Sequence, residues 1–200
     1  LARIGSDVRI SVVYQDAPRG LGHAIGCARS AVGNEPFAVL LPDELMGDSS
    51  LLTQMSEMFV QQGKSVVGLK QVPMSEVSAY GCVSTTAAPT ASGEVSVTGV
   101  VEKPALHEAP SDLILIGRYV LHTGMFEMLD ALKPAPSGEI QLTDALLIEA
   151  QAGNLRGVVS NIARFDTGTP MGWLQAVIEL TLQRKDAGTE LEAWLKGRFS

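Results

Sequence analysis

Residues 37–41 read FAVLL, an unbroken apolar run held between Pro36 and Pro42. A run this short, closed by residues that cannot continue a ladder, is expected of a strand buried on both faces of a parallel sheet. The flanking segments supply the rest of an alternating pattern. Residues 8–14 (VRISVVY) are β-branched and apolar and stop at the turn-forming QDAPRG, which predicts a strand. Residues 20–32 have a small-residue helical look. Ser49 and Ser50 can cap a helix over 51–62, in which Leu52, Met55, Met58 and Phe59 recur at spacings of three and four, and 65–70 (SVVGLK) is a further strand. Strand, helix, strand, helix, strand in this order predicts an α/β fold with a Rossmann-like, doubly wound sheet.

From Val72 the rhythm changes. Residues 80–84, 94–101 and 113–120 are strand-like and separated by turn-rich AAPTASGE and KPALHEAPS, which fits an inserted antiparallel ribbon and makes the sheet mixed. Helices return over 123–132, 140–151, 171–182 and 189–196. No repeat or linker divides the 200 residues, so one domain is expected. With 46% hydrophobic and 18% charged residues the chain has the make-up of a folded domain, and neither disorder nor collagen-like repetition fits. Its net charge of −7 argues against nucleic acid held by a basic field. No apolar run approaches the roughly 20 residues of a membrane span, and no signal peptide opens the sequence, so a soluble cytoplasmic protein is expected. Cys27 and Cys82 form no CxxC pair and have no zinc-ligand spacing to His23, His107 or His122, which fits idle thiols in a reducing compartment.

Several short strings can carry chemistry. Gly20, Gly22 and Gly26 lie in GLGHAIG, yet QDAPR separates them from the preceding strand and the spacing is not GxGxxG, so a dinucleotide site is poorly supported. Gly63-Lys64-Ser65 copies the end of a Walker A loop but has Met58 where its leading glycine belongs; a helix C-cap explains it better. Asp43, in LLPD, leaves the carboxyl end of a strand and would point into the crevice where open α/β sheets bind ligands. There it could anchor Mg²⁺, or simply satisfy its own turn backbone. Glu102 and Lys103, in VEKP, place an acceptor beside a cation. Both could meet one ligand only if the strand ends there in an irregular turn, and otherwise they are a solvated strand end. Asp166, in RFDTGTP, is a second candidate carboxylate, while Thr169 and Pro170 are suited to starting the next helix whether or not a ligand binds. GEIQLTD reads most simply as a polar helix start. There is no GxSxG elbow and no HExxH motif, so acyl transfer through a serine triad and zinc hydrolysis have no support.

Taken together, these strings resemble the bacterial UTP–glucose-1-phosphate uridylyltransferases (UDP-glucose pyrophosphorylases) of the sugar nucleotidyltransferase superfamily. The similarity runs in order through QxxxxGLGHA at 15–24, LPD at 41–43, YGCV at 80–83, VVEKP at 100–104 and APSDLILIGRYVL at 109–121. GEIQLTDAL at 138–146 and RFDTGTPMGWLQA at 164–176 complete it. The resemblance implies that Gln15 reads the uracil edge, that the Gly20 backbone packs on the base, and that Gly81 brings its backbone N–H to the glucose. It further implies that Glu102 accepts from sugar hydroxyls, Lys103 binds phosphate, the Ile116 backbone closes the sugar pocket, and Asp43 and Asp166 hold Mg²⁺. The implied reaction joins UTP and glucose 1-phosphate into UDP-glucose and pyrophosphate. Other hexose-1-phosphate nucleotidyltransferases, including thymidylyltransferases, a non-catalytic sugar-nucleotide-binding fragment and an NAD-linked oxidoreductase are the alternatives. A homodimer or homotetramer is implied, with Leu191, Trp194 and Leu195 available either for an interface or for packing on the chain's own sheet. The family's GxGTRxxPxTxxxPK segment is not found, so the expectation is that the natural protein carries N-terminal strands before Leu1.

Overall fold

The computed structural model describes residues 8–199. Helices α1 (Leu21–Cys27) and α2 (Arg29–Val32) lead into strand β1 (Phe37–Leu40) and the short β2 (Glu44–Met46); α3 (Ser50–Gln62) and β3 (Ser65–Gln71) follow. The antiparallel ribbon is β4 (Gly81–Thr85) and β5 (Glu94–Glu102), and β6 (Leu113–Leu121) comes next. The chain closes with α4 (Met125–Ala131), α5 (Leu142–Gln151), β7 (Leu155–Val159), β8 (Arg164–Asp166), α6 (Pro170–Leu182) and α7 (Gly188–Phe199).

Six strands form one mixed sheet in the order β1-β6-β3-β7-β5-β4, and β2 pairs with β8 as a separate two-stranded sheet. β6 is antiparallel to β1 and β3, whereas β3 and β7 run parallel. Every residue of β6 is buried, and its side chains divide by alternation. Leu113, Leu115, Tyr119 and Leu121 join the core beneath α1, α4 and α5, while Ile114, Ile116 and Val120 join Leu51, Met55 and Met58 of α3 on the other face. Two helical layers therefore sandwich the sheet, as an α/β architecture requires.

Three expectations are corrected by the described residues. Residues 8–14 form no strand; they have no neighbouring ladder, and Ile10, Val12 and Tyr14 are exposed. The FAVLL strand is not buried on both faces. β1 is an edge strand whose residues alternate between half-buried and exposed, with Leu40 50% exposed. Apolar composition measures how much surface a segment can bury, not how many neighbours supply the burial. The helix over 20–32 is also broken at Ala28. Other signals hold: Gly63 is a left-handed C-cap of α3, and Thr169 Oγ1 caps α6 by accepting from the Gly172 N–H at 3.1 Å with Pro170 at the first helical position. Among the described residues no helix is long and apolar enough to cross a membrane.

Candidate active site

A cleft of about 380 Å³ opens where β1, β4, β5 and β6 present their ends to the β2–β8 ribbon. Gly20, Asp43, Gly81, Glu102, Lys103 and Asp166 all line it, so six of the residues singled out in the sequence converge although the chain between them spans most of the fold.

One wall of the cleft follows from strand register. Gly81 opens β4 directly across from Glu102 at the end of β5. A Cβ on Gly81 would stand 2.9 Å from Leu115 Cδ1 and 3.2 Å from both Glu102 Oε2 and Thr143 Cγ2, so glycine keeps a small cradle open beside the carboxylate. The ladder then ends abruptly: Lys103 takes φ 43°, rare for a residue with a side chain, and its N–H donates to Tyr80 O at 3.1 Å. This is the irregular turn the Glu102–Lys103 pair needs. Neighbours that would point to opposite faces of a strand both enter the cleft, with Lys103 Nζ 3.9 Å from Glu102 Oε1.

The opposite wall carries the two aspartates. β2 and β8 pair with Glu44 across from Asp166 and Met46 across from Arg164. The Thr167 N–H and hydroxyl both donate to Asp43 O, at 2.7 and 2.9 Å. Asp43 and Asp166 thereby flank Gly168: a Cβ there would lie 3.1 Å from Asp166 Oδ1 and 3.5 Å from Asp43 Oδ2. Asp166 is oriented by the Tyr80 hydroxyl, which donates to its Oδ2 at 3.0 Å, and by the Gly168 N–H, which donates to Oδ1 at 3.1 Å. Two hard oxygen donors on the same wall could hold a divalent cation that completes its shell with water and ligand phosphate. No larger metal-ligating cluster occurs among the described residues.

Beneath the aspartates lies a network that the motifs did not reveal. Arg164 grips Glu44 with two hydrogen bonds, Nε to Oε2 at 2.6 Å and Nη2 to Oε1. It also reaches Asp166 at 3.5 Å and lies over the Tyr80 ring at 4.7 Å. Burial pushes the Glu44 carboxyl above its ordinary pKa, a shift the Arg164 bonds only partly offset. For Arg164 burial works the other way, but the hydrogen bonds it donates to Glu44 and to the Tyr80 oxygen outweigh it and hold the guanidinium charged. Arg118, also buried, donates to the carbonyls of Leu41, Gly117 and Glu44 and pins the Asp43 turn to β6. Both arginines stand inside strings already quoted, RFD and IGR, but nothing in their spacing announces partners so distant in the chain.

Two candidates sit differently. Gln15 is exposed and does not line the cleft; its amide donates to Gly20 O at 3.1 Å and pairs with His23 Nδ1 at 2.8 Å, fixing the turn into α1. The Ile116 side chain is buried in the core, and the cleft is lined by its neighbour Gly117. The GLGHA and GEIQL segments are also tied together, since the Ile140 N–H donates to Arg19 O at 2.8 Å and the Gly22 N–H to Ile140 O at 2.9 Å.

Comparison with known proteins gives a consistent picture. The chain is 35% identical over 198 residues to UTP–glucose-1-phosphate uridylyltransferase YngB of Bacillus subtilis, covering 98% of this chain and 66% of the relative. It is 39% identical over 201 residues to the UTP–glucose-1-phosphate uridylyltransferase of Escherichia coli K12, covering 94% and 64%. A UDP-glucose pyrophosphorylase solved with UDP-glucose superposes with a TM-score of 0.81 at 36% identity, covering 87% of this chain and 66% of that one. A UTP-bound enzyme of the same kind from Acinetobacter baumannii gives 0.80 at 35%, covering 90% and 62%. The chain thus spans just under two thirds of the length of these relatives. The sequence family described as nucleotidyl transferase matches residues 2–183, which takes in every residue of the cleft, and the chain belongs to that family.

Proposed function

We propose that the chain carries the sugar and metal half of an enzyme that transfers a uridylyl group from UTP to glucose 1-phosphate, giving UDP-glucose and pyrophosphate. The observation that carries this reading is the convergence of Gly81, Glu102 and Lys103 on one wall of a cleft with Asp43 and Asp166 on the other.

A phosphate monoester is already anionic near neutral pH and needs no strong base. The difficulty is to bring it to the α-phosphorus of a second anion in line with the departing pyrophosphate. Glu102, acceptor-only when ionised, takes hydrogen bonds from sugar hydroxyls and sets the face the sugar presents. Lys103, on its left-handed turn, aims a flexible ammonium at the sugar phosphate and lowers the repulsion there. Asp43, whose carboxylate has no hydrogen-bond partner among the described residues, and Asp166, held by Tyr80, would hold Mg²⁺. When bound, the ion screens the phosphate charges and orients the in-line displacement. The acidic cleft, in which Asp43, Glu44, Glu102, Glu139 and Asp166 face Lys103, suits anionic substrates only with such a cation in place. Gly20 and the tied GLGHA segment would support the base, with Gln15 at its edge.

The test is pyrophosphate release from UTP and glucose 1-phosphate, with dTTP compared. Asp43→Asn is expected to abolish turnover and leave the circular dichroism spectrum and melting temperature unchanged; near-normal turnover in that variant refutes the metal role. Preference for dTTP, or UDP-glucose binding without pyrophosphate release by the unaltered chain, would favour the thymidylyl or non-catalytic reading instead.

A further inference from the structure

Glu139 lines the cleft from the turn that precedes α5 and is half-buried, but neither its motif nor the family resemblance assigns it a contact. Its Cβ lies 3.0 Å from the point that a Cβ on Gly20 would occupy. The two hydrogen bonds between Ile140 and the Arg19 and Gly22 backbone hold that approach, so the side chain is rooted at the Gly20 end of the cleft. Its two oxygens differ. Oε2 accepts from Gln141 Nε2 at 2.6 Å and from the Ser137 hydroxyl at 3.4 Å, whereas Oε1 has no hydrogen-bond partner among the described residues. One oxygen is thus used to fix the carboxylate, and the other is left for a ligand.

We propose that Glu139 is a specificity-determining residue that accepts a hydrogen bond from the ribose 2′-hydroxyl of the bound uridine nucleotide; the assignment rests on the uridylyl-transfer reading above. In a uridine diphosphate sugar the ribose is the one group between the base and the phosphates. With the base on Gly20, the phosphates at Lys103 and the two aspartates, and the hexose at Gly81 and Glu102, a carboxylate rooted against Gly20 meets the nucleoside. Its charge repels phosphate, and when ionised it can only accept, so a hydroxyl is its natural partner. The 2′-hydroxyl stands on the carbon next to the one that bears the base, which makes it the ribose hydroxyl nearest Gly20. Dinucleotide-binding folds read the same hydroxyl with a carboxylate. A deoxynucleotide would leave Oε1 without a donor, and a polar site rejects most strongly the analogue that lacks the hydroxyl it was built for. The same atom would then set UTP against dTTP.

Calorimetric titration with UDP and with 2′-deoxy-UDP, both with Mg²⁺ present, tests this on the parent chain, on Glu139→Ala and on Glu139→Gln. The parent is expected to bind UDP at least about tenfold more tightly than 2′-deoxy-UDP, the size of one hydrogen bond to a charged acceptor. Glu139→Ala is expected to bring the two within about twofold, by weakening UDP and leaving 2′-deoxy-UDP where it was. Glu139→Gln keeps the shape and weakens the acceptor, so it should lower the ratio by about threefold or more, and it carries the test if the alanine variant unfolds. A ratio that neither variant moves overturns the assignment, whether or not the melting temperature falls, because a carboxylate kept only to brace the turn has no preference between the two ligands. Equal weakening of both places Glu139 on the base and overturns it too, as does a parent that binds both equally. A parent chain that binds neither nucleotide overturns the uridylyl-transfer reading itself, and the assignment falls with it.

Discussion

Arg164→Ala removes the guanidinium that grips Glu44. The Arg164 side chain is 8% exposed and makes two hydrogen bonds to a carboxylate of similar burial, so deleting it strands a negative charge among Asp43 and Asp166. Breaking a buried pair from one side costs about 3–5 kcal/mol, because the desolvated partner remains. For a chain of this size about 4 kcal/mol corresponds to a fall in melting temperature on the order of 8–16 °C. Urea denaturation of Arg164→Ala, Glu44→Ala and the double variant gives the coupling directly. The double variant should be more stable than the sum of the single losses allows, by at least about 2 kcal/mol. pH gives a second reading. Burial already raises the Glu44 pKa, and removing the Arg164 bonds raises it further. A carboxyl whose folded pKa lies above its unfolded value adds stability below the unfolded pKa and loses it as pH rises through the folded one. The deficit of Arg164→Ala should therefore shrink as pH falls from neutrality towards about 4.5, the ordinary glutamate value. A loss under about 1 kcal/mol, additive single effects, or a deficit that does not narrow in acid would refute the argument.

Two further outcomes can be checked with simple measurements. Gly117 has φ 64°, and a Cβ there would lie 2.8 Å from Glu44 Cγ, so Gly117→Ala should cost about 2–4 kcal/mol in urea denaturation, from left-handed strain plus overlap; a loss under about 1 kcal/mol would mean the Asp43 turn gives way freely. Burial pushes the Cys82 thiol above its ordinary pKa and shields it, whereas Cys27 is partly exposed beside His23, so a disulfide reagent at pH 8 should label one thiol per native chain and the second only in urea.

What could be read before the structure was known depended on how local the cause was. Asp43 and the Glu102–Lys103 pair were legible because each sits where a strand stops, and a strand end fixes direction from a few residues. The turn at Lys103 was a stated requirement of the sequence, and the backbone supplies it. Residues 8–14 and the FAVLL strand were misjudged for the reason that makes them look alike: both are apolar, but only neighbouring strands decide whether a segment pairs and on how many sides. The Glu44–Arg164 grip was invisible because its partners are separated by 120 positions and neither belongs to a recognisable spacing.

The β2–β8 ribbon closes a loop of more than a hundred residues with three registered pairs and one ion pair. Contacts of such long separation return nothing until the intervening chain is ordered, and they form late. During synthesis Asp43 leaves the ribosome well before Asp166, and it emerges into a chain whose central strand does not yet exist. The carboxylate pair is thus complete only once β8 has been made, and a nascent or clipped chain ending before β8 has Asp43 without its companion.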